Sequence, residues 1–274
     1  MLTFPNAKIN IGLNITGRRT DGYHDLSTIM VPVGWKDVLE IVPAKGSKTT
    51  LTVSGNAIDC PSDKNIVMKA YRALNEKIPL PQVDIYLRKV IPAQAGLGGG
   101  SADASFTLTT LNSLFALGLT DRELAEIAAT IGADCPLFVY NRPMLATGTG
   151  TILTPIELKC LQGRYLLIIK PPFSVSTAEA YANVTPRHPA VGLQELIRKP
   201  IESWKDSIVN DFELSLRDRF PQIDRIKSAL YGKGSLYASL SGSGSAIYGI
   251  FDNDKMAEKA AEQFSDCDTF ITSL

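Results

Sequence analysis

From residue 8 to residue 16 apolar and polar side chains alternate without a break. Ile9, Ile11, Leu13 and Ile15 fall on one side, and Lys8, Asn10, Gly12, Asn14 and Thr16 on the other. That two-residue period predicts a strand with one face buried. Shorter strand-like runs follow at 37–42, 49–53 and 83–90, separated by Gly, Pro, Ser and Asp. The pattern then changes to helical spacing over 101–116, with Phe106, Leu111, Leu114 and Phe115, and over 120–131. The second helix opens on Thr120-Asp121-Arg122-Glu123, which has the form of a capping box, and Gly132 stands where a C-terminal cap belongs. Residues 134–140 lead toward a turn at 148–150. The last third predicts strands at 165–169, 236–240, 246–251 and 269–272, interleaved with helices near 191–199, 223–231 and 254–264. Strands first and interleaved elements later suggest two packed layers, with a boundary near 150–160 and no internal repeat.

Composition narrows the function classes. The 274 residues are 45% hydrophobic and 20% charged, with 28 basic against 28 acidic side chains. A zero balance gives no support to broad attraction toward nucleic acid or an anionic membrane, so any anion must be met locally. Cys60, Cys135, Cys160 and Cys267 lie far apart, without zinc spacing, as expected of free thiols. The start, MLTFPNAKIN, does not have the form of a signal peptide, and no apolar run approaches the ~20 residues needed to span a bilayer. The expectation is a cytoplasmic protein without nucleic-acid or membrane partners.

The candidate chemistry centres on PAQAGLGGGSADAS, residues 92–105, where Gly96, Gly98, Gly99 and Gly100 lie between a strand and a helix. The Walker pattern fails because no Lys follows the last glycine. The dinucleotide pattern GxGxxG fails because Ser101 occupies its sixth position and no βαβ unit surrounds it. What survives is physical. Glycines let main-chain N–H groups approach a ligand, and a helix opening at Ser101 offers a positive end to an anion. A phosphate cradle is the sharp expectation, and a strand-to-helix turn the bland one.

Other residues carry weaker signals. Ser241-Gly242-Ser243-Gly244-Ser245 joins two apolar strands and is either a turn or a loop closing on a ligand. Asn is unfavourable in strands, so Asn10 and Asn14 beside Lys8 mark either a solvated face or a site. Asp21-Gly22-Tyr23-His24 predicts a turn followed by two rings. Asp134, before Pro136 in GADCP, fits a helix N-cap.

Taken together, PNAKIN at 5–10, the loop at 92–105 and SGSG at 241–244 resemble the kinase superfamily named for galactokinase, homoserine kinase, mevalonate kinase and phosphomevalonate kinase. PNAKINIGLNITGRRTDGYHDLSTIM, GLGGGSADAS and GADCPLF are most similar to the 4-diphosphocytidyl-2-C-methyl-D-erythritol kinase family of the non-mevalonate isoprenoid route. Ala102 and Ser105 depart from that family's usual Ser and Ala, which touches only a hydroxyl contact at 102.

The resemblance implies an α+β, two-lobed small-molecule kinase fold. Residues 1–155 would form a ribosomal-protein-S5-like α/β lobe for ATP binding and catalysis, and 156–274 a ferredoxin-like lobe, with the site in the cleft between them. It implies ATP-dependent phosphorylation of the 2-hydroxyl of the methylerythritol unit, with Asp134 taking the proton and Lys8 orienting Asp134 and offsetting charge. Pro92, Ala93, Gln94, Ala95, Gly96, Leu97, Gly98, Gly99, Gly100, Ser101 and Ala102 would carry the ATP phosphates, with Asn65 and Lys89 nearer the adenosine. Asn10, Tyr23, His24, Thr177 and Tyr181 would hold the cytidine end, Tyr23 and Tyr181 as stacking walls. Mg2+ is implied as the counter-ion of ATP, with ligands that no compact acidic cluster marks.

Overall fold

The computed structural model describes residues 1–56 and 60–274. They form two compact units to which the chain contributes in turn: residues 1–7, 35–93 and 98–142 make the first, and 8–34, 94–97 and 143–274 the second.

In the first unit, β1 (Leu2–Thr3), β4 (Val38–Pro43), β6 (Val83–Lys89) and β5 (Thr50–Gly55) form a sheet in the order β1-β4-β6-β5. The pairs are antiparallel except β5 with β6, which is parallel. The apolar period of β6, with Val83, Ile85 and Leu87 buried, faces α1 (Ile66–Lys77), α2 (Gly99–Leu114), α3 (Asp121–Ile131) and α4 (Cys135–Tyr140) in one core. Leu39, Ile41, Val67, Leu74, Leu108 and Leu111 are its centre, and burying each such side chain contributes about 1.5–3 kcal/mol. The capping box at Thr120 and Glu123 forms as expected. Gly132 caps that helix in extended backbone, φ −173°, rather than in the left-handed turn its identity suggested.

The second unit holds two sheets. One joins β2 (Asn6–Arg18, whose first two residues belong to the first unit), β3 (His24–Lys36, whose last two do), β7 (Met144–Gly148) and β8 (Ile152–Pro155), in the order β2-β3-β7-β8. The other joins β10 (Tyr237–Leu240), β11 (Ile247–Phe251), β9 (Tyr165–Lys170) and β12 (Asp268–Ser273), all antiparallel, in the order β10-β11-β9-β12. Between β9 and β10 run α5 (Thr177–Ala182), α6 (Leu193–Leu196), α7 (Asp211–Leu216) and α8 (Gln222–Gly232), and α9 (Asp254–Ala261) connects β11 to β12. A strand, helix, strand, strand, helix, strand succession with this order is the ferredoxin-like arrangement, in agreement with the expected fold class.

One expectation fails in an informative way. β2 is not half-buried: every residue from Asn6 to Ile15 is buried, so its polar side faces protein and not water. The alternation breaks at Gly12, where φ is +64° and a Cβ would lie 2.6 Å from Leu193 Cδ2 and 2.9 Å from Ile208 Cγ2. Beyond it Leu13 and Ile15 enter the ferredoxin-like core with Leu167, Ile169, Phe212 and Ile247.

Candidate active site

In the second unit residues 8–10 of the first strand, 94–97 of the glycine loop and the serine–glycine turn meet. Lys8 is 3% exposed and its Nζ donates to Asn10 Oδ1 at 2.5 Å. Asn10 Nδ2 donates to Thr28 Oγ1 at 3.0 Å, and that hydroxyl donates to the Gly12 carbonyl at 2.5 Å. The Tyr248 hydroxyl donates to the Asn10 carbonyl at 2.8 Å. This chain of bonds fixes the Lys8 ammonium by orienting the carboxamide that receives it.

The middle of the glycine loop is pinned to the same place. Lys8 N donates to Leu97 O at 2.9 Å, Ala246 N to Ala95 O at 3.0 Å, and Ser241 Oγ to Gly96 O at 2.9 Å. At Gly96, φ is +72° and a Cβ would sit 1.9 Å from the Ser241 carbonyl, so no other residue fits. A Cβ on Gly242 would lie 3.2 Å from Asn10 Oδ1 and 3.4 Å from Lys8 Nζ. The serine–glycine turn therefore lies directly against the strand carrying Lys8.

Asn210 holds that turn, and sequence reasoning missed it. It is buried, donates from Nδ2 to Leu240 O and Gly242 O, each at 2.9 Å, and accepts from Phe212 N as the N-cap of α7. An Asn-Asp-x-Glu run is a legible helix start. Nothing in it announces contact with a turn thirty residues on.

The cytidine-end residues are also in the second unit. His24 stacks on Tyr181 with centroids 4.9 Å apart and planes 28° from parallel, and Tyr181 meets Phe212 edge-on at 4.8 Å. Tyr23 is 68% exposed, its N–H held by Asp21 Oδ1 at 3.0 Å. Arg19 bonds both Asp21 and Asp25 and orders the turn. Thr177 is the exposed first residue of α5, behind a Ser176–Glu179 capping box.

In the first unit Gly98 caps α2 in the left-handed region, φ +69°, and Ala102 N donates to Gly98 O at 2.9 Å. Gly99, Gly100 and Ser101 form the first turn of that helix. Asp134 occupies the N-cap position of α4, but its side chain makes no capping bond there, contrary to the helix cap that its place before Pro136 suggested. Ser105 Oγ donates to Cys135 O at 2.6 Å and ties α4 to α2. Burial pushes the Cys135 thiol up to about 11, and all four cysteines are free thiols.

Asn65 and Lys89 are already engaged. Asn65 Oδ1 caps α1 by accepting from Val67 N at 2.9 Å. Lys89, 4% exposed, donates to Asp37 Oδ2 and, at 2.6 Å, to Asp103 Oδ2.

Family models match both parts of the chain: GHMP kinases N terminal domain over residues 65–142 and GHMP kinases C terminal over 192–267. A 4-diphosphocytidyl-2-C-methyl-D-erythritol kinase of Parabacteroides distasonis is 48% identical over 267 residues, 97% of either chain. The chain belongs to the 4-diphosphocytidyl-2-C-methyl-D-erythritol kinase family of GHMP kinases.

Another kinase of that family, from Bacteroides fragilis, is 46% identical over 276 residues and 100% of both chains. The crystal structure of a 4-(cytidine 5'-diphospho)-2C-methyl-D-erythritol kinase matches with a TM-score of 0.85 at 29% identity, over 99% of this chain and 98% of that one. A mevalonate kinase crystal structure, TM-score 0.75 at 14% identity, shares the fold, covering 99% of this chain and 98% of its own. The chain is accordingly a small-molecule kinase with ATP as its phosphoryl donor. None of its described helices is long and apolar enough to cross a membrane.

Proposed function

We propose that this kinase phosphorylates the 2-hydroxyl of 4-diphosphocytidyl-2-C-methyl-D-erythritol, a step of non-mevalonate isoprenoid precursor biosynthesis, in the cytoplasm. The observation that carries the reading is identity of 46–48% with kinases named for that substrate, over nearly the full length of both chains. The buried Lys8–Asn10–Thr28 relay supports it, because a transferring phosphoryl group needs positioned charge more than covalent chemistry.

In this reading Asp134 accepts the proton of the 2-hydroxyl as its oxygen attacks the γ-phosphorus of ATP. The bond from that phosphorus to the bridging oxygen breaks, and ADP leaves with the electron pair. Lys8 offsets the charge that develops on the phosphoryl oxygens, and Asn10 holds Lys8 for this task. The first turn of α2 offers its N–H groups to the nucleotide phosphates. Asn65 and Lys89, both already bonded, support the nucleotide region. Tyr23, His24, Thr177 and Tyr181 receive the cytidine end, with the His24–Tyr181 stack as a ready aromatic surface. Residues 1–155 serve as the ATP-binding lobe and 156–274 as the ferredoxin-like lobe. No three His, Cys, Asp or Glu side chains among the described residues are grouped to hold a metal. Mg2+ fits this chain as the counter-ion of ATP, bound mainly by phosphate oxygens and water.

ADP release is measured with the cytidyl-linked methylerythritol, with mevalonate and with no acceptor. Turnover confined to the cytidyl substrate is expected. Turnover with mevalonate alone would overturn the assignment.

A further inference from the structure

Lys89, Asp37 and Asp103 form a buried cluster of charges, none of which takes part in the phosphoryl transfer itself. Their side chains are 4%, 0% and 2% exposed. Taking an ammonium and two carboxylates out of water costs several kcal/mol per ion unless geometry and further hydrogen bonds compensate, so their placement needs an explanation. Fold stability alone is a poor one, since apolar side chains of like volume often serve as well.

The cluster touches both ends of the glycine loop. On the strand side, Asp37 Oδ1 accepts from Val90 N at 2.5 Å and Ile91 N at 2.9 Å, the two residues that precede Pro92. On the helix side, Asp103 lies in the first turns of α2, the helix that begins at Gly99. Lys89 Nζ bridges the two carboxylates. The approach is close: a Cβ on Gly99 would lie 3.0 Å from Ile91 Cγ2 and 3.4 Å from Lys89 Nζ. One ammonium thus ties residue 91, through Asp37, to the first turns of α2.

The charge balance fits this role. Asp103 Oδ1 is buried with no hydrogen-bond partner, a poor place for an ionised oxygen. Burial raises the Asp103 carboxyl to about 8, against the opposing pull of Lys89. A proton held on that carboxyl removes one of the negative charges beside Lys89. The support beneath the loop is then less negative, which favours an anionic ligand.

We propose that Lys89 is a positioning residue, which with Asp37 and Asp103 holds the two ends of the glycine loop at the separation that nucleotide phosphates need, without touching the nucleotide. The proposal rests on the reading of this loop as the phosphate site. It differs from the role the family resemblance suggests for Lys89, which is proximity to adenosine.

Calorimetry without acceptor separates the two, using ATP, inorganic tripolyphosphate and adenosine as ligands of wild type, Lys89→Met and Asp103→Leu. Asp103→Leu cuts the tether to α2 while leaving Lys89 on Asp37, so it stands in if Lys89→Met does not fold. A positioning role predicts that either variant loses affinity for ATP and tripolyphosphate by the same factor, at least tenfold, with adenosine unchanged. Lys89→Arg should recover most of the loss. Weaker ATP and adenosine binding with tripolyphosphate unaffected would mean direct contact with the nucleoside and would overturn the proposal. So would folded variants with lower melting temperature and unaltered ligand affinities. Wild-type protein that binds neither ATP nor tripolyphosphate would overturn the phosphate-loop reading instead.

Discussion

Lys8 and Asp134 show how differently two residues with one proposed task are prepared. Lys8 is almost fully buried and held by a carboxamide that is itself held by Thr28. Asp134 sits where a cap would be and does not cap. A side chain at an N-cap position that forgoes the cap sacrifices about 1 kcal/mol of local stability, which is the kind of concession expected at a working site. Lys8→Ala and Asp134→Asn should each lower kcat by at least about a hundredfold, the scale of losing a charge-stabilising group or general base. Circular dichroism should report an intact fold in both. Turnover within tenfold of wild type in either variant would remove that residue from the proposed roles. Tyr181→Ala should behave otherwise: by deleting the partner of His24 it should raise KM for the cytidyl substrate and spare KM for ATP. An equal rise in both constants would count against a cytidine site there.

At the scale of elements, the serine–glycine turn between β10 and β11 depends on one residue outside it. Asn210→Ala would leave the Gly242 carbonyl without its buried donor, the Leu240 carbonyl with only the longer 3.4 Å bond from Ser239 Oγ, and α7 without its cap. One stranded buried acceptor costs about 1–3 kcal/mol and a lost N-cap about 1 kcal/mol. The melting temperature should fall by about 5–10 °C, given about 2–4 °C per kcal/mol for a chain of this size, and an unchanged melting temperature would show that the turn holds itself. This dependence marks the limit of sequence reading. The loop at 92–105, the capping box at Thr120 and the strands of the ferredoxin-like sheet were legible because glycine, capping pairs and apolar period act over a few residues. β3 was not legible: Thr28, Ile29, Met30 and Val31 are buried in an unbroken run, and where alternation sets in at Val31, Val33 and Trp35 the positions between are Pro32 and Gly34, which read as breakers. Nor was the full burial of β2, because alternation reports two chemically different faces and not what covers the polar one. The pairing of Lys89 with Asp37 and Asp103, 52 and 14 residues away, has no local signature at all.

At the scale of the whole molecule, zero net charge means that pH acts on stability through particular groups more than through general repulsion. Asp103 is the group to follow. Its carboxyl ordinarily titrates at 3.8 and in the folded chain is raised to about 8, first by burial and then by Asp37, against Lys89. Between those two values the native state binds a proton that the unfolded chain has released. Its favourable contribution is complete below about pH 4 and is lost as pH rises through about 8. Asp21, Glu123 and Glu179 work in the opposite sense: backbone N–H bonds, from Tyr23, Thr120 and Ser176 respectively, depress each carboxyl, so what they contribute disappears on acidification. Asp21 and Glu123 are exposed and Glu179 is only half-buried, so their effect is small. Asp103→Asn keeps the shape and a hydrogen-bond acceptor for Lys89 and cannot titrate. Melting temperatures measured from pH 5 to pH 9 should therefore fall more steeply for wild type than for Asp103→Asn, the gap widening by up to about 1.4 kcal/mol per pH unit and levelling off above pH 8. Parallel profiles would mean that Asp103 is ionised throughout, its charge met by Lys89, and that the support beneath the glycine loop carries a net negative charge.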